Sequence, residues 1–72
     1  MTVGQRIKQL REAHNMSPFY LSMEIGSTYS TIYQYESDSI KKKRKYIILA
    51  MCYVFGMTYE EFMKGVERDS AD

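Results

Sequence analysis

The chain has 72 residues, 44% apolar and 26% charged, a composition typical of one small globular domain. One Cys and one His exclude a disulfide framework and a multi-ligand zinc site built within the chain. No apolar run reaches the roughly 20 residues that span a bilayer. Residues 36–45 carry five bases and two acids (+3), and residues 46–72 carry two bases and five acids (−3). We therefore expect a cytoplasmic protein, without a membrane segment, that presents a basic region to a polyanion.

Helical spacing of the apolar residues predicts a compact all-α fold of four to five short helices and no strand. The first helix is expected over residues 3–14. The second is expected to start at Pro18, after an N-cap at Ser17, because a missing N–H costs nothing at the first helical position. Gly26 is expected to close it, since glycine readily adopts the left-handed conformation of a sharp turn.

The third predicted helix follows an N-cap at Ser27 or Thr28 and runs to about Ser37. Its β-branched and aromatic residues have only middling helix propensity and would by themselves favour a strand. We interpret the segment as a helix because the preceding turn and the apolar spacing fit a helical pair, and tertiary packing overrides weak propensity.

The fourth helix is predicted over residues 43–55 and ends at Gly56. Thr58 and Glu61 form a capping-box pattern for a fifth helix that runs to about Gly65. The predicted core consists of the apolar positions that recur on one face of each helix. These are Val3, Ile7, Leu10, Leu21, Ile25, Ile32, Tyr35, Ile47, Ile48, Met51, Cys52, Phe55 and Phe62.

The second and third helices have the pattern of a helix-turn-helix. An apolar residue followed by a small one, Leu21 and Ser22, precedes a turn glycine, Gly26, and the next helix carries apolar residues at Ile32 and Tyr35. Three segments resemble, in order, the helix-turn-helix family of phage Cro and repressor proteins and their bacterial relatives, often called the XRE family. They are Val-Gly-Gln-Arg-Ile-Lys-Gln-Leu-Arg-Glu at 3–12, Gly-Ser-Thr-Tyr-Ser-Thr-Ile-x-x-Tyr-Glu at 26–36 and Phe-Gly-Met-Thr-Tyr-Glu-Glu-Phe at 55–62.

The resemblance implies a lambda-repressor-like DNA-binding domain over residues 1–66, with the helix-turn-helix at about 18–37 and a polar, frayed tail at 67–72. It further implies a sequence-specific transcriptional regulator, a repressor by preference, that uses no cofactor. Such a protein binds a near-palindromic site on double-stranded DNA as a homodimer.

On this interpretation a recognition helix at about 28–37 enters the major groove. The residues expected to face the bases are Tyr29, Ser30, Tyr33 and Gln34. Those expected to contact phosphates are Thr28, Lys41, Lys42, Lys43 and Arg44. The resemblance also implies a partly buried ion pair between Arg11 and Glu36.

The sequence departs from the family pattern at three points. Pro18 stands where a glutamine commonly binds phosphate, and Ser22 stands where an alanine is usual. The recognition helix carries no Arg or Lys, so it offers no bidentate guanine contact. A preference for A·T-rich sites, or for DNA shape, is the expected result.

An alternative is that the Tyr-rich third helix binds a protein, as an antirepressor-like or antitoxin-like adaptor would. Met57 and Met63 are candidates for a dimer contact in either case. An enzyme is not predicted, because no nucleophile and base can be assembled around His14 alone, and the neighbouring Glu60 and Glu61 point apart on a helix. The sequence shows no sign of a small-molecule pocket.

Overall fold

Residues 1–66, the part of the chain that this computed structural model describes, contain five α-helices joined by short connections, and no strand. They are α1 (Val3–Ala13), α2 (Pro18–Glu24), α3 (Tyr29–Glu36), α4 (Lys45–Phe55) and α5 (Tyr59–Met63). The predicted all-α fold is confirmed. Residues 67–72, for which the sequence predicts a frayed tail, lie outside the described residues. None of the five helices is long and apolar enough to cross a membrane.

Side-chain caps fix where the helices begin. Ser17, Thr28 and Thr58 each accept a backbone N–H bond at the N-cap position of α2, α3 and α5, as predicted. The sequence interpretation missed a capping box on α1, in which Thr2 and Gln5 bond to each other's backbone N–H. Each cap of this kind stabilises a helix by about 1 kcal/mol.

Four helix ends differ from the prediction by one to two residues, and one of them is the end of α3 at Glu36 instead of about residue 37. α1 ends at Ala13, and Asn15 follows it in the left-handed region at φ 56°. α4 begins at Lys45 instead of residue 43, because the backbone N–H of Arg44 donates to the Tyr35 hydroxyl at 3.0 Å and holds Arg44 as an extended N-cap. α5 ends at Met63 instead of Gly65, since the backbone is already extended at residue 64.

The predicted core is largely confirmed. Val3 and Ile25 are only partly buried at its edge. The other predicted core residues are all buried: Ile7, Leu10, Leu21, Ile32, Tyr35, Ile47, Ile48, Met51, Cys52, Phe55 and Phe62. Burying one large apolar side chain stabilises the fold by roughly 1.5–3 kcal/mol. The Cα radius of gyration is 11.2 Å, close to the about 11 Å expected of a packed chain of this length.

Gly4 allows α1 to approach the end of α3 closely. A Cβ at this position would collide with the backbone carbonyl oxygens of Tyr35 and Glu36. The backbone N–H of Gly4 instead donates to Asp38 Oδ1 at 3.1 Å. Any side chain at residue 4 would force the start of α1 away from the end of α3.

Candidate nucleic-acid interface

The turn between α2 and α3 comprises residues 25–28 and has the glycine geometry that the sequence predicts. Gly26 has φ 67°, in the left-handed region. The following residue, Ser27, donates its backbone N–H to the carbonyl of Ser22 at 2.8 Å. Ser22 itself is buried, and its hydroxyl donates to the Phe19 carbonyl at 2.6 Å. A serine therefore fits the small-residue position of the helix pair without an unsatisfied hydroxyl.

α3 packs on both α1 and α2 through Ile32 and Tyr35, which are buried. The opposite side of the helix carries the residues predicted to face bases, and we refer to these four as the outer face of α3: Tyr29, Ser30, Tyr33 and Gln34. All four are exposed, with the two tyrosines at 50% and 63%. Their spacing places them together on one side of a helix. The structure thus gathers aromatic, hydroxyl and amide groups on one accessible surface.

Thr28, a predicted phosphate contact, is exposed at the N-terminus of α3. Its Oγ1 accepts the backbone N–H of Thr31 at 3.3 Å and lies 3.2 Å from the Thr31 hydroxyl. The side chain therefore already serves as a cap. Its hydroxyl keeps further hydrogen-bonding capacity at an exposed position.

The ion pair that the sequence predicts between Arg11 and Glu36 is present. Arg11 Nε and Nη2 donate to the two carboxylate oxygens at 2.6 and 3.1 Å, and Nη1 donates to the Met16 carbonyl at 2.7 Å. The side chains are only 9% and 12% exposed. The hydrogen bond to Glu36 raises the pKa of Arg11 above its ordinary value, although burial acts against it. The bidentate pair fastens α3 to α1 and to the turn before α2.

The four cations predicted to contact phosphates, residues 41–44, differ in their exposure to solvent. Lys41, Lys42 and Arg44 are exposed in the α3–α4 connection, residues 37–44. Lys43 is not: its side chain is 13% exposed, and its Nζ donates to Asp38 Oδ1 at 2.8 Å and to the Ile40 carbonyl at 3.1 Å. The structure therefore separates Lys43 from the exposed cations with which the sequence groups it. A partly buried carboxylate holds its ammonium group inside the connection.

Asp38 joins the connection to the start of α1, a role that the sequence interpretation missed. Its carboxylate accepts the Thr2 hydroxyl at 2.5 Å and the Gly4 backbone N–H at 3.1 Å, besides Lys43. Burial raises the pKa of Asp38, but the three donors outweigh it and bring the pKa below its ordinary value. The sequence offered one indication of this role, an Asp in a short polar connection. Asp tolerates the left-handed backbone conformation, and Asp38 adopts it here at φ 58°.

The start of α4 adds a second electropositive element next to the exposed cations. Arg44 occupies the N-cap without a side-chain hydrogen bond, and the first turn of α4 contains no acidic residue. The partial positive charge of the helix end is therefore not neutralised from within the helix. Lys45 lies with its Nζ 4.6 Å from the centre of the Tyr59 ring, which directs it toward α5.

α2 exposes apolar side chains to which the sequence interpretation assigned no role. Phe19, Tyr20 and Met23 are 61%, 45% and 55% exposed. Residues 12–40, which include all of α2 and α3, contain no Lys or Arg. The sequence could have revealed this surface through the spacing of Phe19 and Met23. Four residues apart, they share one side of α2, away from the buried Leu21.

Two comparisons with known proteins give no match. No protein-family model matches the chain, and a search of the curated proteins finds no relative. The resemblance to the Cro and repressor type therefore depends on the three sequence segments and on the geometry described above.

Proposed function

We propose that this protein is a small DNA-binding transcriptional regulator of the Cro and repressor (XRE) helix-turn-helix type, acting in the cytoplasm and by preference as a repressor. The observation that carries the proposal is one arrangement. The outer face of α3 presents hydrogen-bonding and aromatic groups, and three exposed cations, Lys41, Lys42 and Arg44, follow directly in the α3–α4 connection. In a helix-turn-helix this arrangement suits base contacts from the second helix and phosphate contacts from its flank.

The outer face of α3 would read bases without any charged group. An amide such as that of Gln34 pairs bidentately with adenine N6 and N7. A tyrosine ring packs on the thymine methyl, and the Ser30 hydroxyl donates or accepts. Without an Arg on α3, this surface favours A·T-rich half-sites, and sequence-dependent DNA shape supplies the remaining selectivity.

The exposed cations would hold the DNA backbone. Lys41, Lys42 and Arg44 each displace counterions on binding a phosphate, and the N-terminus of α4 beside them favours an anion. Thr28 is placed to contribute a neutral hydroxyl contact at the start of α3. A protein with these contacts binds two half-sites of a near-palindromic operator as a homodimer, with recognition helices about 34 Å apart.

Two adjacent lysines give a matched test of this proposal. We expect the logarithm of affinity for a mixed-sequence duplex to fall with the logarithm of salt concentration, with a slope of about −3 for each protomer that makes three phosphate contacts. Lys42→Gln should reduce this slope by about one. Lys43→Gln removes the same charge one residue away, yet should leave the slope unchanged, because Lys43 is bound to Asp38.

Fluorescence anisotropy at several salt concentrations measures both variants, and the proposal fails if the wild type shows no salt-dependent duplex binding. It is also contradicted if Lys43→Gln changes the slope as much as Lys42→Gln. Circular dichroism shows that each variant is folded under the conditions of the titration.

The second candidate is an adaptor that binds a protein through α3. It is favoured by the absence of Lys and Arg in residues 12–40 and by the exposed Phe19 and Met23 on the neighbouring helix. An apolar contact of this kind depends weakly on salt. Absence of duplex binding in the titration above, at low as well as high salt, would support this candidate.

A further inference from the structure

The α3–α4 connection is held to the helices near both of its ends. Near its start, the Asp38 carboxylate accepts the Gly4 backbone N–H at 3.1 Å, which fixes it to α1. At its end, the Arg44 backbone N–H donates to the hydroxyl of Tyr35, a buried residue of α3, at 3.0 Å. The segment between these two points therefore has fixed ends, although it contains no helix or strand.

An ion pair closes that segment into a loop. Lys43 Nζ donates to Asp38 Oδ1 at 2.8 Å and to the Ile40 carbonyl at 3.1 Å, and the Lys43 side chain is only 13% exposed. Lys41 and Lys42 lie inside this loop and are exposed. A segment that is already closed has less conformational freedom to lose when it binds a partner.

We propose that three residues act as positioning residues for phosphate binding: Asp38, Lys43 and Tyr35. They hold the connection in one conformation, so that Lys41 and Lys42 meet the DNA backbone without first being ordered. This inference rests on the function proposed above. It gives Lys43 a role different from the phosphate contact that the sequence predicts, because a carboxylate and a carbonyl already bind its ammonium group.

The charge of Asp38 makes its role distinctive. Asp38 is the one acidic residue of residues 37–44, and a carboxylate beside a DNA-binding surface repels phosphates. Lys43 matches this charge, so the pair adds no net charge to the connection. A positioning role and simple charge repulsion therefore predict opposite effects when Asp38 loses its charge.

The salt dependence of duplex binding separates a positioning residue from a phosphate contact. The slope of the logarithm of affinity against the logarithm of salt concentration reports the number of phosphate contacts. The affinity extrapolated to about 1 M salt, which we refer to as the high-salt affinity, reports the remainder, because the logarithm is zero there. Loss of a phosphate contact changes the slope, whereas loss of positioning lowers the high-salt affinity.

Lys43→Gln should lower the high-salt affinity about tenfold and leave the slope unchanged, since ordering roughly one backbone residue costs about that factor. Lys43→Arg keeps a cation that can donate to Asp38, and should restore most of the affinity. Tyr35→Phe changes no charge and removes the hydroxyl that holds Arg44, so it should act as Lys43→Gln does. This variant also keeps the test available if Lys43→Gln does not fold.

Asp38→Asn should lower the high-salt affinity even though it removes a negative charge. Glu24→Gln removes the same charge at an exposed position of α2 and serves as the control, which should not weaken binding. Fluorescence anisotropy at several salt concentrations measures all of these variants, and circular dichroism shows that each is folded. Without DNA, ¹⁵N relaxation of the wild type should give order parameters of about 0.85 for Lys41 and Lys42, falling below about 0.6 in Lys43→Gln.

Three results would overturn the proposal while duplex binding itself is intact. The first is a smaller slope with unchanged high-salt affinity for Lys43→Gln, which would make Lys43 a phosphate contact. The second is an unchanged slope and an unchanged high-salt affinity for both Lys43→Gln and Tyr35→Phe. The third is a connection that is already mobile in the wild type. A wild type that binds no duplex would instead contradict the function proposed above, and this inference with it.

Discussion

α3 and α4 each expose two tyrosines, but the residues between those tyrosines differ. On α3, Ser30 and Gln34 lie beside Tyr29 and Tyr33. On α4, the large exposed side chain between the exposed Tyr46 and Tyr53 is Leu49. The first surface offers several hydrogen-bonding groups to a partner, whereas the second offers an apolar seam. The same aromatic residue therefore stands in two different settings, and only the α3 surface carries the groups that we propose for reading DNA.

The two helices are also held in different ways. α4 contributes five buried residues spread along its length. α3 contributes two buried residues, Ile32 and Tyr35, and depends in addition on the ion pair of Glu36 with Arg11. The position of the outer face of α3 thus depends on two buried residues and one polar pair, whereas that of α4 depends on distributed apolar packing.

The largest expected effect comes from breaking that polar pair. Glu36→Ala should reduce the free energy of unfolding by about 3–5 kcal/mol, because Arg11 remains buried without its carboxylate. Replacing both partners with apolar residues, as in Arg11→Met with Glu36→Leu, should recover most of the loss. Urea denaturation measures both, with exposed Glu24→Ala as a control within about 0.5 kcal/mol of the wild type. A loss below about 1 kcal/mol for Glu36→Ala would show that α3 does not need the pair.

A smaller effect separates the two tyrosine surfaces directly. Tyr33→Ser should weaken duplex binding about tenfold, a change of about 1.4 kcal/mol. Tyr53→Ser, at an exposed position of α4, should leave the affinity for a duplex with a single half-site unchanged. Fluorescence anisotropy measures both variants. Equal effects of both variants on duplex binding would remove the distinction between the two helices.

The smallest effect concerns Asp38, which lies in the connection between the two helices. Its pKa in the folded state is below the ordinary value of 3.8, so the unfolded state binds more protons near that pH. The stability that Asp38 contributes is present above pH 3.8 and is lost as the pH falls through the lower folded value. Asp38→Asn should therefore show a shallower decline in unfolding free energy across this acid range. A pH dependence equal to that of the wild type would contradict the assigned contacts.

Much of the fold follows from local sequence chemistry. The caps at Ser17, Thr28 and Thr58, and the turn at Gly26, depend on residues within a few positions of each other. The core follows from helical spacing of apolar residues, which is also local. The outer face of α3 could be predicted for the same reason, since the buried positions Ile32 and Tyr35 define its opposite side.

The parts that could not be predicted depend on contacts between distant residues. Lys43 is removed from the exposed cations by Asp38, and Asp38 is held by Thr2 and Gly4, which lie 36 and 34 positions away. Nothing in the sequence of residues 41–44 distinguishes Lys43 from the other three cations. The exposed side of α4, with Tyr46, Leu49 and Tyr53, could not be predicted for a different reason. An apolar helix shows which side is uncovered only after its packing is known.

NMR titration of the uniformly ¹⁵N-labelled protein with a duplex DNA pool tests the central claim most directly. The account predicts that backbone signals of Tyr29, Ser30, Tyr33 and Gln34, and of Lys41 and Lys42, shift as duplex is added. Signals of Leu49 and Tyr53 on α4 should stay in place on a duplex with a single half-site. Shifts confined to α2 or α4, or no shift at low salt, would contradict the assignment of α3 as the DNA-reading helix.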